Sequence, residues 1–288
     1  MSSASGTNGH RVERLAADAE LALLLEVTGT PKPGNVDRDR DHADLRFEHF
    51  VAGAVRARPG LAALAAGGPL GEGFETAVAG MSRQSGGNTQ FGALLALAPL
   101  VSAAAGDRLD PEGVRRVVAE TTVDDAVAFY RAFDHVAVAV GEPPAEVDAP
   151  DVRLGAEAEP RIRERDLTLA DVMAESAPVD GVAAEWAEGF PRTFEAAESI
   201  LDRSGPVADR AAAVYLDLLA DRVDTFVASQ HGPETARTVR ERAAAARDGA
   251  VDPAALAEEF LERGINPGTT ADLTAAALFV ALRRGLEV

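Results

Sequence analysis

The 288-residue chain contains no cysteine, which excludes disulfides and any thiolate-bound zinc or iron–sulfur centre. Lysine is almost missing too: of 28 basic residues, all but Lys32 are arginine. Runs of alternating β-branched residues are almost absent, so strands are not expected. No apolar run approaches the roughly 20 residues that cross a bilayer. The start, "MSSASGTNGHR", lacks an apolar signal core and reads as a disordered tail over residues 1–10. These absences predict a soluble, cytoplasmic protein. Positive charge is also scarce, with 47 acids against 28 bases and a net charge of -19. That balance excludes general binding to nucleic acid or anionic membranes. GC-rich coding accounts for abundant arginine, alanine and glycine, but not for the acid excess. Acid excess with lysine depletion points to a salt-rich cytoplasm, as in haloarchaea. In molar salt the Debye length is roughly 3 Å, so such a surface barely repels an anionic substrate.

What is present is alanine and leucine at helical spacing. "RLAADAELALLLEV" reads as a first helix ending near Gly29. "LRFEHFVAGAVRA", "FETAVAGMSR", "FGALLALAPLVSAA", "PEGVRRVVAET" and "VDDAVAFYRAF" continue the pattern. A Pro- and acid-rich loop is expected from about Gly141 to Arg165. After it come "LTLADVMAES", "GVAAEWAEGFPRTFEAAESILD", "VADRAAAVYLDLLADRVDTFVAS", "PETARTVRERAAAARDG", "PAALAEEFLERG" and "TTADLTAAALFVALRRG". The expectation is an all-α protein of ten to twelve helices, with one helical domain over residues 11–288 and no repeat at a fixed period.

Four stretches carry chemistry. In "EVTGTPKPGNVDRDRDHADLRF", Pro31 and Pro33 stiffen the backbone on either side of Lys32, and Gly34 permits a sharp turn. That arrangement suits presenting an ammonium to a phosphate, but it equally describes a rigid connector with an incidental lysine. Asp37, Asp39, Asp41 and Glu48 fit EF-hand positions. The loop's glycine position holds His42 and its apolar position Asp44, so the EF-hand is rejected. Asp41 or Asp44 can simply cap the helix near Leu45. Magnesium held by one or two carboxylates plus substrate phosphates stays open.

In "SRQSGGNTQFGALLALAPL", Gly86 and Gly87 lead through Asn88 and Thr89 into an apolar helix whose first amides can hold an anion. It is not a P-loop, since Ala93 and Leu94 stand where Lys and Ser/Thr must be, and Asn88 also fits an ordinary helix cap. "ERGINPGTTADLTAAALF" turns at Asn266-Pro267-Gly268 and has the capping-box spacing at Thr269 and Asp272. In "DTFVASQHG", His231 stands near a helix end, where its charged form is favoured.

Taken together and in order, "EVTGTPKPGNVDRDRDHAD", "GGNTQFGALLAL", "TTVDDAVAFYRAF", "DVMAESAPVDGVAAEWAEGF", "DTFVASQHG" and "INPGTTADLTAAALF" resemble the triphosphoribosyl-dephospho-coenzyme A synthase family, from about Leu21 to Leu282. The resemblance implies an all-helical transferase. Such enzymes join ATP to dephospho-CoA, release adenine, and leave a triphosphoribosyl group on a ribose hydroxyl. The product is the prosthetic-group precursor of citrate lyase or malonate decarboxylase acyl carriers. Mg²⁺ would accompany ATP, and a homodimer is a candidate assembly. Gln90-Phe91 stand where bacterial members carry His-Lys, marking a divergent, archaeal-type branch. Two other readings follow from that departure: an ATP-using transferase with a different acceptor, or a non-catalytic nucleotide-binding module of the same fold.

Displacing adenine at an anomeric carbon builds positive charge on the ribose. The site then needs a carboxylate near that carbon, a base for the hydroxyl and counter-charge for three phosphates. The resemblance implies Asp44, Asp272 and Glu26 in catalysis, with Asp37 and Asp44 on magnesium. It implies Lys32 at the phosphates, and Gly34, Gly86, Gly87, Asn88, Thr89, His231, Asn266 and Gly268 around the substrates.

Overall fold

Alanine, with no side-chain entropy to lose, and leucine at three- and four-residue spacing favour helix and give it an apolar face. The computed structural model of the chain describes residues 3–141 and 149–288, and they form α-helices without strands. In chain order these are α1 Ser3–Thr28, α2 Phe47–Ala65, α3 Leu70–Met81, α4 Phe91–Ala105, α5 Pro111–Ala119 and α6 Val123–Ala132. Then follow α7 Glu159–Glu164, α8 Leu169–Ser176, α9 Gly181–Glu188, α10 Pro191–Asp202 and α11 Val207–Asp221. The last are α12 Thr225–His231, α13 Pro233–Arg247, α14 Pro253–Glu262 and α15 Gly268–Arg283. Proline opens α5, α10, α13 and α14, where its missing N–H has no intrahelical partner to lose.

The described residues thus hold fifteen α-helices, not ten to twelve. Two apparent single helices are broken. Gly189 and Phe190 both adopt left-handed backbone before Pro191 and separate α9 from α10. Asp224 starts α12 by accepting the Val227 amide at 3.0 Å, three residues after α11 ends. The stretch expected as a loop from Gly141 to Arg165 contains a 3-10 helix, Val152–Ala158, and α7. Its residues 142–148 lie outside the described residues. The first helix begins at Ser3, inside the stretch expected as a tail, of which residues 1–2 lie outside the described residues.

α4 is apolar on nearly every face and is buried from end to end, as a central helix must be. α15 packs beside it, and α1, α2, α3, α6 and α9 contribute to the main core, with Leu23, Phe74, Phe129 and Trp186. α11 to α14 form a second cluster around Tyr215, Val239 and Phe260, closed by Ile265. A third, small cluster of Val27, Val36 and Phe50 anchors the segment between α1 and α2. No described helix is long and apolar enough to cross a membrane.

Candidate active site

Where α1, α4, α9 and α15 converge, they leave a cavity of about 1020 Å³. The face of α1 that carries Leu23 presents Glu26 one turn later. The segment after α1 contributes Asn35 and Asp44, the approach to α4 contributes Gly86 to Thr89, and the turn into α15 contributes Asn266, Gly268 and Asp272. With Glu26, those ten side chains or backbones include most of the residues singled out in the sequence. The wall also has an apolar part, with Phe129, Phe133, Val140, Met173 and Val179.

Lys32, Gly34, Asp37 and His231 do not line the cavity. Lys32 is wholly buried and turned inward, its ammonium bonded to Glu26 and, at 3.1 Å, to Asn35 Oδ1. The stiff two-proline backbone is there, but it aims the side chain into the protein, not at a phosphate. Gly34 is architectural: its φ is 79° and a Cβ would stand 2.5 Å from the Ile265 carbonyl oxygen, so this turn requires glycine on both counts. His231 is exposed at the end of α12, with Nε2 3.2 Å from the Gly264 carbonyl.

The carboxylates also sort differently from expectation. Asp37 is fully buried and already satisfied, accepting from the Thr30 hydroxyl at 2.9 Å and the Lys32 and Asp39 amides at 3.1 and 2.9 Å. Arg40 also approaches it at 3.4 Å. Asp44 stands exposed on the cavity wall, away from that network. Asp37 is thus engaged within the protein while Asp44 faces the cavity, and among the described residues no three His, Cys, Asp or Glu side chains converge as a metal site. Asp41 takes the capping role, accepting the Phe47 amide at 2.8 Å.

The start of α4 is already supplied with acceptors. Asn88 Oδ1 accepts the Phe91 amide at 3.1 Å, and the Asp272 carboxylate accepts the Ala93 amide. Asp272 packs so closely that a Cβ on Gly92 would lie 2.0 Å from its Oδ2, which is why glycine stands there. The expected anion-binding turn thus receives one of the protein's own carboxyl groups. Gln90 is buried, and neither atom of its amide has a partner in the protein. The Thr269–Asp272 capping box is not formed. Thr269 Oγ1 instead accepts from the Phe226 amide at 3.2 Å.

Five carboxyl groups line the cavity, namely Glu26, Asp44, Asp151, Asp180 and Asp272, and no described lysine or arginine does. Burial dominates the ionisation of Glu26, Asp180 and Asp272, whereas the Arg153 side chain holds Asp151 below the usual carboxyl range. Burial pushes Asp272 well above that range, helped by the charges of Glu26, Asp180 and Asp224 and opposed only by the Ala93 amide. Glu26 is also raised by burial, but there the Lys32 ammonium opposes the shift. Burial raises Asp180 and Asp224 against the amides they accept. Asp180 is open to the cavity yet surrounded by protein, capping α9 through the Ala183 amide at 2.8 Å. Asp224 is buried and joins two helix starts, accepting from Val227 in α12 and from the Thr270 amide and hydroxyl in α15, at 2.8 and 2.7 Å. Neither was a candidate from sequence; that each caps a helix is a finding of the fold. Their contribution arises from long-range proximity.

The model of the ATP:dephospho-CoA triphosphoribosyl transferase family (CitG) matches residues 12–287. A solved structure from Archaeoglobus fulgidus, assigned provisionally as a triphosphoribosyl-dephospho-coA synthase, superposes with a TM-score of 0.67 at 28% identity. The match covers 83% of this chain and 100% of that one. None of the curated proteins matches the chain. The all-helical fold shared with that structure and a family match running almost from end to end lead to one conclusion. The chain is a transferase of the ATP:dephospho-CoA triphosphoribosyl transferase family.

Proposed function

We propose that the protein transfers the triphosphoribosyl group of ATP to a ribose hydroxyl of dephospho-CoA, with Glu26 as base and Asp272 as acid. The observation that carries this division of roles is their contrast in environment: Glu26 has a buried cation behind it, whereas the charges acting on Asp272 are all those of other carboxyls. Two carboxyl groups whose surroundings separate their ionisation supply both halves of a proton-transfer reaction.

In the reaction the hydroxyl oxygen attacks the anomeric carbon of ATP and gives its proton to the Glu26 carboxylate. The bond from that carbon to adenine breaks, and the departing base takes the electron pair together with the Asp272 proton. Positive charge on the ribose in between is stabilised by the remaining carboxylates of the wall, which act more strongly in a partly desolvated cavity than in water. The apolar part of the wall, with Phe133, Met173 and Val179, suits the uncharged arm of dephospho-CoA.

The wall offers the triphosphate no described lysine or arginine, so ATP enters as its magnesium complex. There the metal is held chiefly by phosphates and water, as Mg²⁺ commonly is. Asp37 and Asp44 do not fit a resident metal, and no step is assigned to one. Gln90 and Phe91 replace a charged pair and face inward, buried, which favours a related acceptor as the second reading.

The test is chromatographic. Protein in high salt is given ATP, Mg²⁺ and dephospho-CoA, and separately CoA, ADP or NAD as acceptor. Adenine should appear one-for-one with an acceptor adduct heavier by the triphosphoribosyl group, with dephospho-CoA preferred. Adenine with a different adduct would establish the second reading, and absence of adenine with every acceptor would sink both.

A further inference from the structure

Lys32 lies outside the cavity wall and yet closes a network that reaches it. Its ammonium is bonded to Glu26 and Asn35, and lies 5.8 Å from the ring centroid of Tyr215. The Tyr215 hydroxyl donates to the Pro33 carbonyl at 3.0 Å, and the Asn35 amide donates to Asn266 Oδ1 at 2.9 Å. The loop, α11 and the turn into α15 therefore all bear on one buried cation. The bond from Lys32 falls on Glu26 Oε1, so Oε2 keeps its lone pairs for the cavity.

We propose that Lys32 is a positioning residue for Glu26: from behind the wall it keeps the carboxylate ionised and turned so that Oε2 meets the attacking hydroxyl, and it touches no phosphate. This rests on the role of Glu26 as base. The charged or titratable groups acting on Glu26 are Lys32 and Asp37 from the loop after α1, Tyr215 from α11 and Asp272 from α15. Among them only Lys32 favours the ionised form. Burial alone would protonate Glu26 and disable it as a base. The space also explains why this position is lysine in a chain otherwise built on arginine. A compact ammonium is satisfied by Glu26 and Asn35 beside an aromatic face, whereas a guanidinium brings five donors in a wide planar fork.

The test compares wild type with Lys32→Gln by two readouts that need no turnover. The first is infrared titration of the Glu26 carboxyl stretch, identified by its loss in Glu26→Gln. The second is the calorimetric Kd for MgATP. The Glu26 midpoint should rise by at least one pH unit in Lys32→Gln, while the Kd changes less than threefold. An unmoved midpoint, or a Kd weakened tenfold or more, would overturn the proposal; the latter result would return Lys32 to the phosphates. Should Lys32→Gln fail to fold, Lys32→Gln/Glu26→Gln should fold again, because the uncompensated acid is gone, and its failure to do so would count against the pairing. If wild type releases no adenine, the proposed reaction fails, while the midpoint still decides the Lys32–Glu26 relation.

Discussion

At the scale of single residues, the proposed chemistry rests on two carboxyl groups that burial treats alike and neighbours treat differently. Asp272 has no cation to offset its environment, so its proton is retained far into the pH range where an exposed aspartate has lost it. In the unfolded chain that proton leaves near pH 4, about the ordinary value. Between there and the raised folded value, the folded state binds one proton more than the unfolded state. Stability is then fully present below the unfolded value and falls as pH rises, by at most about 1.4 kcal/mol per pH unit, until the folded value is passed. Asp272→Asn should flatten this fall in urea denaturation measured above pH 4. Glu26, Asp180 and Asp224 carry the same sign, so some slope should remain. Equal slopes in wild type and variant would mean that Asp272 is ionised in the fold.

At the scale of elements, Asp224 is the fastener. It caps α12 and binds the first turn of α15, and so fixes the turn that carries Asn266 and Asp272 toward the cavity. Asp224→Ala removes a cap and leaves the Thr270 amide and hydroxyl without their acceptor, a loss of about 2–4 kcal/mol. Chemical denaturation should show it, and a change below about 0.5 kcal/mol would mean that packing alone positions α15.

The long helices here were legible because alanine and leucine recur at helical spacing along them. The breaks at Gly189-Phe190 and before Asp224 were not, because apolar spacing continues across them and only backbone conformation reveals the interruption. Glu26, Asn88, Asn266 and Asp272 were legible as motif members. That Lys32 points inward was not, since two prolines specify stiffness and say nothing of which face the side chain takes. Asp180 and Asp224 escaped for a related reason: their shared field exists only once α9, α12 and α15 meet.

At the scale of the whole molecule, acidity outside and inside the cavity has one consequence. A net charge of -19 repels itself and the polyphosphate substrate unless salt or bound cations intervene. The Debye length falls from about 10 Å at 0.1 M to about 3 Å at 1 M, so raising KCl to molar levels should increase helicity, melting temperature and MgATP affinity together. Unchanged stability and binding from dilute buffer to molar KCl would leave the acid excess without a role in salt adaptation.

The division of labour between Glu26 and Asp272 is tested most directly by the pH dependence of kcat/KM for adenine release from MgATP and dephospho-CoA. A bell is expected, its acid limb set by ionisation of Glu26 and its alkaline limb by loss of the Asp272 proton. Glu26→Gln should abolish the acid limb and Asp272→Asn the alkaline limb, each with a rate loss of about 10²–10⁴. Retention of both limbs in both variants would contradict the assignment of base and acid.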